Sequence, residues 1–261
     1  MFLFNTSAWL GAMQQIGQRY FIFASITFIV FYILFRKQLQ HLRIQRLFPK
    51  PINYYRDIFF SLISILIFAT IGYLSIFASK NINNIHYGTI ADFGIGYYIL
   101  GFVWMLFLHD TYFYWMHRAM HHPKLFRYVH LVHHKSTNPS PWTAYAFHPL
   151  EAILEAGIIP LIAFTVPVHK TGITFFMLFQ IIYNVYGHLG YELFPKRFLG
   201  TRTGSLINTS TAHNGHHKYF TGNYGLYTLL WDRWMGTLRK EQQREAVQEP
   251  VPGFQEAIPQ S

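Results

Sequence analysis

Long apolar runs alternate along the chain with short polar segments rich in histidine. Tyr20 to Phe35 carries no charge and is closed by Arg19 on one side and Arg36-Lys37 on the other. At ~1.5 Å per residue this predicts a helix of roughly 24 Å, short for a membrane span unless its flanks contribute. Ile58 to Ser79 is 22 residues of Ile, Phe, Leu and small side chains, enough for the ~30 Å hydrocarbon core. A third helix is expected from Phe93 to Leu108, continuing through His109 into Trp115. Ala152 to Val168, interrupted by Glu155, Pro160 and Pro167, and Ile173 to Tyr186 predict a fourth and a fifth, which either cross or pair as a hairpin that does not fully cross. The pattern therefore predicts an all-α, integral-membrane helical bundle of four or five apolar helices.

If each run crosses once, segments 36–57, 109–151 and 189–261 share one side. That side holds 18 of the 21 Lys and Arg, with Arg19, Lys80 and Lys170 opposite. The positive-inside rule makes it cytoplasmic, in a multi-pass protein. This accounts for the net charge of +10 without nucleic acid, since the basic residues form no single stripe and no reading-helix motif occurs. The first run lacks a basic region and a small-residue cleavage site before it, and is expected to be an anchor and not a signal peptide. A solvated tail is expected at 241–261, rich in Glu, Gln and Pro.

Composition narrows the chemistry. The chain is 51% hydrophobic and 12% charged, about half the charge of an ordinary soluble domain, which argues against a water-soluble globule. It has no Cys, which excludes disulfides, thiolate zinc sites, haem-thiolate ligation and iron–sulfur clusters held by this chain. A metal must be held by N and O ligands, and His (15) outnumbers Asp plus Glu (11).

Thirteen of the histidines lie between 109 and 217. His117 and His121 form an i, i+4 pair on one helix face. Asp110 and Tyr114 share that stripe while His109 is further round, so helical geometry favours Asp110 as a direct ligand or as a partner fixing a ring. His130, His133 and His134 repeat the pattern of His213, His216 and His217, H-x-x-H-H, in which one turn of helix presents three imidazoles to one side. Eight such residues suit two metals at about four apiece, with room for His188 at the end of the fifth apolar run. Imidazole suits Zn, Cu, Fe and Ni, and ligand count alone does not choose. Isolated His41, His86 and His169 are expected at surfaces or interfaces, and His122 in a loop. His148, before Pro149, fits either a helix start or a supporting position. Bis-His haem needs single facing histidines within the bilayer and a metal transporter needs ionisable groups along its spans, yet the histidines come as triplets outside the spans and Glu155 alone falls within one.

These residues resemble the sterol desaturase and fatty acid hydroxylase superfamily of integral-membrane, histidine-box di-iron oxygenases, closest to the sterol desaturase branch. The matching text is HDTYFYWMHRAMH (109–121), HLVHH (130–134), PSPWTAYAFHPLE (139–151), NVYGHLGYE (184–192), HNGHH (213–217) and NYGLYTLLWDRWMGT (223–237). Order and spacing agree over about half the chain. Residues 1–90 and the tail after 240 carry no distinctive resemblance; the apolar runs predict N-terminal membrane helices over 1–90, and the resemblance implies a catalytic domain over 91–240 with a His-rich helical cap, on the side the charges make cytoplasmic, holding a dimetal site. It implies His117, His121, His130, His133, His134, His188, His213, His216 and His217 as metal positions, with His109, His148, Asn184 and Glu192 as weaker candidates. It also implies two iron ions, dioxygen as co-substrate, a sterol-like or fatty-acyl lipid as substrate, and hydroxylation or desaturation as the outcome. Electrons ultimately from NAD(P)H would need a separate donor, a ferredoxin or a b-type cytochrome with its reductase, because no G-x-G-x-x-G, haem domain or Cys cluster is present. A non-redox metal-binding membrane protein and a catalytically inactive relative are the alternatives.

Overall fold

The computed structural model describes residues 4–80, 86–165 and 167–239; the predicted tail at 241–261 lies outside them. Helix α1 (Thr6–Phe28) is capped by the Asn5 side chain, which accepts from the Ala8 amide, and widens at its end into a π-helical turn at Ile29–Leu34. Helix α2 (Pro51–Lys80) returns alongside it. Trp9 Nε1 donates to Thr70 Oγ1 at 3.1 Å near one end, while Tyr20 Oη and Ser61 Oγ both donate to the Trp142 carbonyl, at 2.8 and 3.3 Å, near the other. The hairpin is thus antiparallel, and its basic connection at 35–50 lies at the same end as the histidines.

Helix α3 (Gly94–Met120) runs toward that end. Helices α4 (Pro123–Val129) and α5 (Leu131–His134) follow, and α6 (Pro149–Ala156) and α7 (Ile158–Thr165) lead away again. Helix α8 (Lys170–Gly187) climbs back parallel to α3, with Tyr98 and Thr171 hydroxyls 3.1 Å apart at their starts. There a two-residue parallel pairing joins β1 (His86–Tyr87) to β2 (Val168–His169). Short helices α9 (Lys196–Leu199), α10 (Ser210–Tyr219) and α11 (Leu230–Trp234) complete the histidine end. One core joins the hairpin to the rest, with Tyr20, Ala24 and Ile65 packed on Tyr145, Phe147, Ile181 and Val185.

Among the described residues two helical stretches, Thr6–Leu34 and Pro51–Ser75, are long and apolar enough to cross a membrane, fewer than the four or five expected. The first begins well before the uncharged run because the Gln and Gly residues ahead of Arg19 are helical too. The expected fourth run is divided by Gly157 into two eight-residue pieces, and α3 becomes polar in its last turns, where Asp110, His117 and Arg118 fall. Outward faces nevertheless remain apolar, with Ile22 and Ile26 on α1, Ile99 and Val103 on α3, and Phe175 and Ile182 on α8 all exposed.

Helix α2 also carries a buried carboxylate. Asp57 accepts from Ser136 Oγ (2.7 and 2.9 Å), from Thr143 Oγ1 (2.7 Å) and from the Arg56 guanidinium (2.9 Å). This fastens the hairpin to the segment that follows the second histidine box.

Candidate metal centre

Nine histidines gather at the closed end of the bundle in two groups. His117, His121, His130, His134 and His216 form one, and His133, His188, His213 and His217 the other; within each group one ring nitrogen per residue lies within 4.8 Å of all the rest. His121 is half-buried and the other eight are buried. All nine are the positions implied by the resemblance.

The H-x-x-H-H boxes do not present three rings to one side. His130 and His134, four apart, enter the first group while His133 enters the second; His213 and His217 enter the second while His216 enters the first. Rings at i, i+3 stack side by side as walls between the groups, His130 with His133 at 5.4 Å and His213 with His216 at 5.8 Å. A helix advances ~100° per residue, so i, i+4 rings lie closer to one meridian than i, i+3 rings. Two opposed boxes therefore interleave.

Hydrogen bonds at the outer nitrogens settle the tautomers. His117 Nδ1 donates to the Tyr224 carbonyl (2.9 Å), His188 Nδ1 to Asn184 O (2.8 Å), His216 Nδ1 to Gly222 O (2.7 Å) and His217 Nδ1 to Ser136 O (3.0 Å). A carbonyl oxygen only accepts, so in these neutral rings Nε2 carries a lone pair and faces inward. Burial holds the His117 and His188 rings neutral by lowering their pKa to about 4. Inward Nε2 atoms crowd at 3.0 to 3.2 Å, as in His117 with His130, His216 with His134 and His213 with His188. Bare lone pairs at that spacing repel unless a cation sits among them, so the donor set fits metal ions.

His130 is oriented by a carboxylate that sequence reasoning passed over. Its Nδ1 lies 2.5 Å from Glu151 Oε1, both residues being buried. Glu151 Oε2 has no partner among the described residues. Burial pushes this carboxyl well above its ordinary value, and a cation in the adjoining group is what would restore the ionised form. The available signal was an acid three residues after His148; at a helix start this reads as a capping residue, which hid it.

Asp110 departs from its expected role. Its Oδ1 accepts from the backbone amides of Leu226, Tyr227 and Thr228 (3.3, 2.8 and 3.2 Å) and its Oδ2 from Thr228 Oγ1 (2.5 Å). These donors saturate the carboxylate, so it neither ligates nor fixes a ring. Asp232 grips the same loop through the amides of Tyr224 and Gly225, both at 2.8 Å. The two acids thereby hold the strap whose Gly222 and Tyr224 carbonyls orient His216 and His117. Gly222 has φ +71°, and an added Cβ would meet Thr237 O at 2.5 Å, so only glycine places that carbonyl there.

Tyr114 also faces away from the rings, its hydroxyl 3.1 Å from both Thr237 Oγ1 and Arg118 Nη1. His109 joins neither group; its Nδ1 meets the Tyr227 hydroxyl at 2.9 Å. His148 caps α6, its ring accepting from the Leu150 amide, and His122 caps α4 in the same way. Asn184 supplies the carbonyl for His188, and its side chain donates to Ala144 O. Glu192 accepts from Tyr186 Oη and the Thr211 amide, tying α8 to α10. His41 is exposed, whereas His169 is buried and caps α8.

Beneath the rings a cavity of about 460 Å³ opens between α1, α2, α6, α7 and α8. Apolar side chains such as Ile16, Phe68, Ile158 and Met177 form most of its wall, and His109 and Phe147 reach its inner end. The Phe147 ring lies 5.0 Å from that of His133, so the cavity ends one side chain from the second group.

The model of the fatty acid hydroxylase family matches residues 102–237, which contain all nine rings and the strap. The chain belongs to the fatty acid hydroxylase family. Within it, similarity points to the sterol desaturase branch. A Delta(7)-sterol 5(6)-desaturase of Leptosphaeria maculans is 34% identical over 131 residues, 50% of this chain and 35% of that protein. Lathosterol oxidase of Rattus norvegicus is 32% identical over 155 residues, 59% of this chain and 50% of the relative. A probable Delta(7)-sterol 5(6)-desaturase of Neurospora crassa is 28% identical over 227 residues, 85% and 60% respectively. This family member thus spans half or less of the length of the first two. No solved structure gives a significant match.

Proposed function

We propose that the chain is a membrane-bound, non-haem di-iron oxidoreductase that uses dioxygen and externally supplied electrons to desaturate or hydroxylate a lipid. The observation that carries this reading is the division of nine inward-facing imidazoles into two adjoining groups, in a chain whose relatives are named for sterol desaturation and lathosterol oxidation. Bound iron would supply dioxygen activation and the oxidising power to remove hydrogen from an unactivated C–H bond.

The remaining work belongs to the protein. Backbone carbonyls hold His117, His188, His216 and His217, and Glu151 holds His130, in the inward-facing tautomer. The cavity positions one carbon of the lipid against the His133 side of the cluster and keeps water away. Balance requires two electrons and two protons per dioxygen: hydroxylation inserts one oxygen and releases one water, and desaturation removes two hydrogens and releases two waters. The donor is a separate protein. Arg118, Lys124, Arg127, Lys218 and Arg233 are exposed around the histidine end and suit an acidic donor such as a ferredoxin or a b-type cytochrome.

The apolar outer faces of α3 and α8 support a multi-pass arrangement in which these helices cross as well. The basic connection at 35–50 supports a cytoplasmic location for the histidines. The test is purification from aerobically grown membranes, with metal analysis, dioxygen uptake and mass spectrometry of added lipid. Iron with a product heavier by one oxygen or lighter by two hydrogens supports the reading; a stable zinc load without dioxygen uptake overturns it.

A further inference from the structure

The Tyr224 ring lies 5.6, 5.1 and 5.5 Å from those of His117, His121 and His216 in the first group. Among the described residues the other aromatic rings packed on the nine imidazoles are Phe113, Phe126, Phe147 and Phe220. A phenol or an indole gives up an electron far more readily than the benzene ring of Phe. From Tyr224 the rings continue outward without a Phe: Tyr114 at 6.4 Å, Trp231 stacked on Tyr114 at 6.0 Å, and Trp234 at 5.4 Å from Trp231. Trp115 branches from Tyr114 at 5.3 Å. Trp115 and Trp234 are exposed, so the series joins the first histidine group to the surface by ring-to-ring contact.

Tyr114 is closed to solvent, yet its phenolic proton has a fixed route. Arg118 Nη1 can only donate, so the Tyr114 oxygen accepts from it at 3.1 Å. Thr237 spends its hydroxyl proton on Asp232 Oδ1 at 2.7 Å, which leaves Tyr114 as the donor across the 3.1 Å to Thr237 Oγ1. When Tyr114 loses an electron, its proton can pass to Thr237 while the Thr237 proton passes to Asp232, along hydrogen bonds already in place. Burial raises the Asp232 carboxyl above its ordinary value, which eases that shift.

We propose that Tyr224, Tyr114, Trp231 and Trp234 draw oxidising equivalents away from the histidine centre when no lipid occupies the cavity. This rests on the dioxygen-using reading and adds a safeguard to it, since oxidant formed with no C–H bond in place would otherwise attack the imidazoles. Each equivalent takes one electron inward along the series. Tyr114 regains its electron from Trp231 and its proton from Asp232 through Thr237. Trp234 is left oxidised, having given one electron to the series and its indole proton to solvent. A small one-electron reductant such as ascorbate then returns one electron and one proton to Trp234. Arg118, 5.9 Å from the Trp115 ring, and Arg233, next to Trp234 in the chain, are exposed at the two outlets and suit an anionic reductant of that kind.

The test mixes the iron-loaded full chain, in detergent and without lipid, with hydrogen peroxide, which takes two electrons and two protons to give two waters. Rapid-freeze electron paramagnetic resonance and peptide mass spectrometry read the result. The wild type is expected to show a side-chain radical that ascorbate removes, and oxygen adducts at Trp234 and Trp115. Trp231→Phe keeps a packed ring and should lose the Trp234 adduct while keeping the one at Trp115, which Tyr114 still touches. Tyr114→Phe should lose both and gain oxidation at Tyr224 and at His117, His121 or His216. Both variants retain every candidate ligand, so their iron content should match the wild type. A wild type without radical or adducts, a Trp234 adduct that survives either substitution, or equal adducts in the zinc-loaded chain overturns the proposal. Because peroxide replaces dioxygen and no lipid is present, absent dioxygen uptake or lipid product would strike the oxygenase reading alone.

Discussion

Glu151 Oε1 and His130 Nδ1 lie 2.5 Å apart in a region closed to solvent, and the other face of the same imidazole looks into the five-membered histidine group. Removing the carboxylate leaves a ring with a free tautomer. Glu151→Leu should weaken metal retention about 10- to 100-fold, as losses behind metal ligands do, and Glu151→Gln, which can still accept, should weaken it less. Competition against a graded chelator measures both.

The two groups predict distinct stoichiometries. His121→Ala truncates only the first group and His188→Ala only the second, so each should lower bound metal from about two per chain to about one and abolish dioxygen uptake. Metal analysis of the purified variants checks this; full occupancy in either would break the assignment.

Acid should unload and destabilise the centre. His117 and His188 have folded-state pKa values of about 4 because burial outweighs the hydrogen bonds that favour protonation, whereas the unfolded value is 6.5. The unfolded chain then binds more protons between these limits, so stability is complete above about 6.5 and is lost as pH falls toward 4. Thermal midpoints of the metal-free protein in detergent should fall through that window and stay level above it. A flat profile from 7 to about 4 would contradict the buried neutral rings.

The strap that carries Gly222 and Tyr224 depends on two acids from different helices. Asp110→Ala leaves three amides without their acceptor and should cost roughly 3 kcal/mol, given the strength of hydrogen bonds to charged groups. Chemical unfolding measures the loss. Release of bound metal should accelerate as well, because the carbonyls that hold His117 and His216 are no longer fixed.

Replacing Arg118, Lys124 and Arg127 by Gln should lower turnover with a protein donor at low salt while leaving turnover with a small chemical reductant intact, since screening and steering act on macromolecular encounter. Equal loss with both reductants would show that these residues serve the fold and not the donor.

The histidine positions were legible because metal geometry imposes short, regular spacing that survives in one dimension. Their distribution between two groups was not, because it depends on how α5 and α10 oppose each other across the fold. The helical stripe placed Asp110 correctly on the side of His117, yet a stripe carries no information about what lies opposite, and the strap more than a hundred residues later claims the carboxylate. Glu151 was hidden for the converse reason: its position at a helix start offered a sufficient local explanation. Among the helices, Ile58 to Ser79 was readable by apolar length. In α6 and α7 the apolar run was visible, but the break at Gly157 turned it into two short pieces.

The network around Asp57 bears on where this protein can be cut. The family likeness begins at residue 102, which on its own would make α1 and α2 a detachable membrane anchor. Yet Asp57 in α2 holds the Ser136 hydroxyl, and the carbonyl of that same Ser136 accepts a hydrogen bond from His217 Nδ1. The boundary of the recognisable region is thus not a boundary of the folding unit. A fragment of residues 102–237 would keep every ring while losing a brace behind one of them, and transplanting the boxes alone would transplant an incomplete centre.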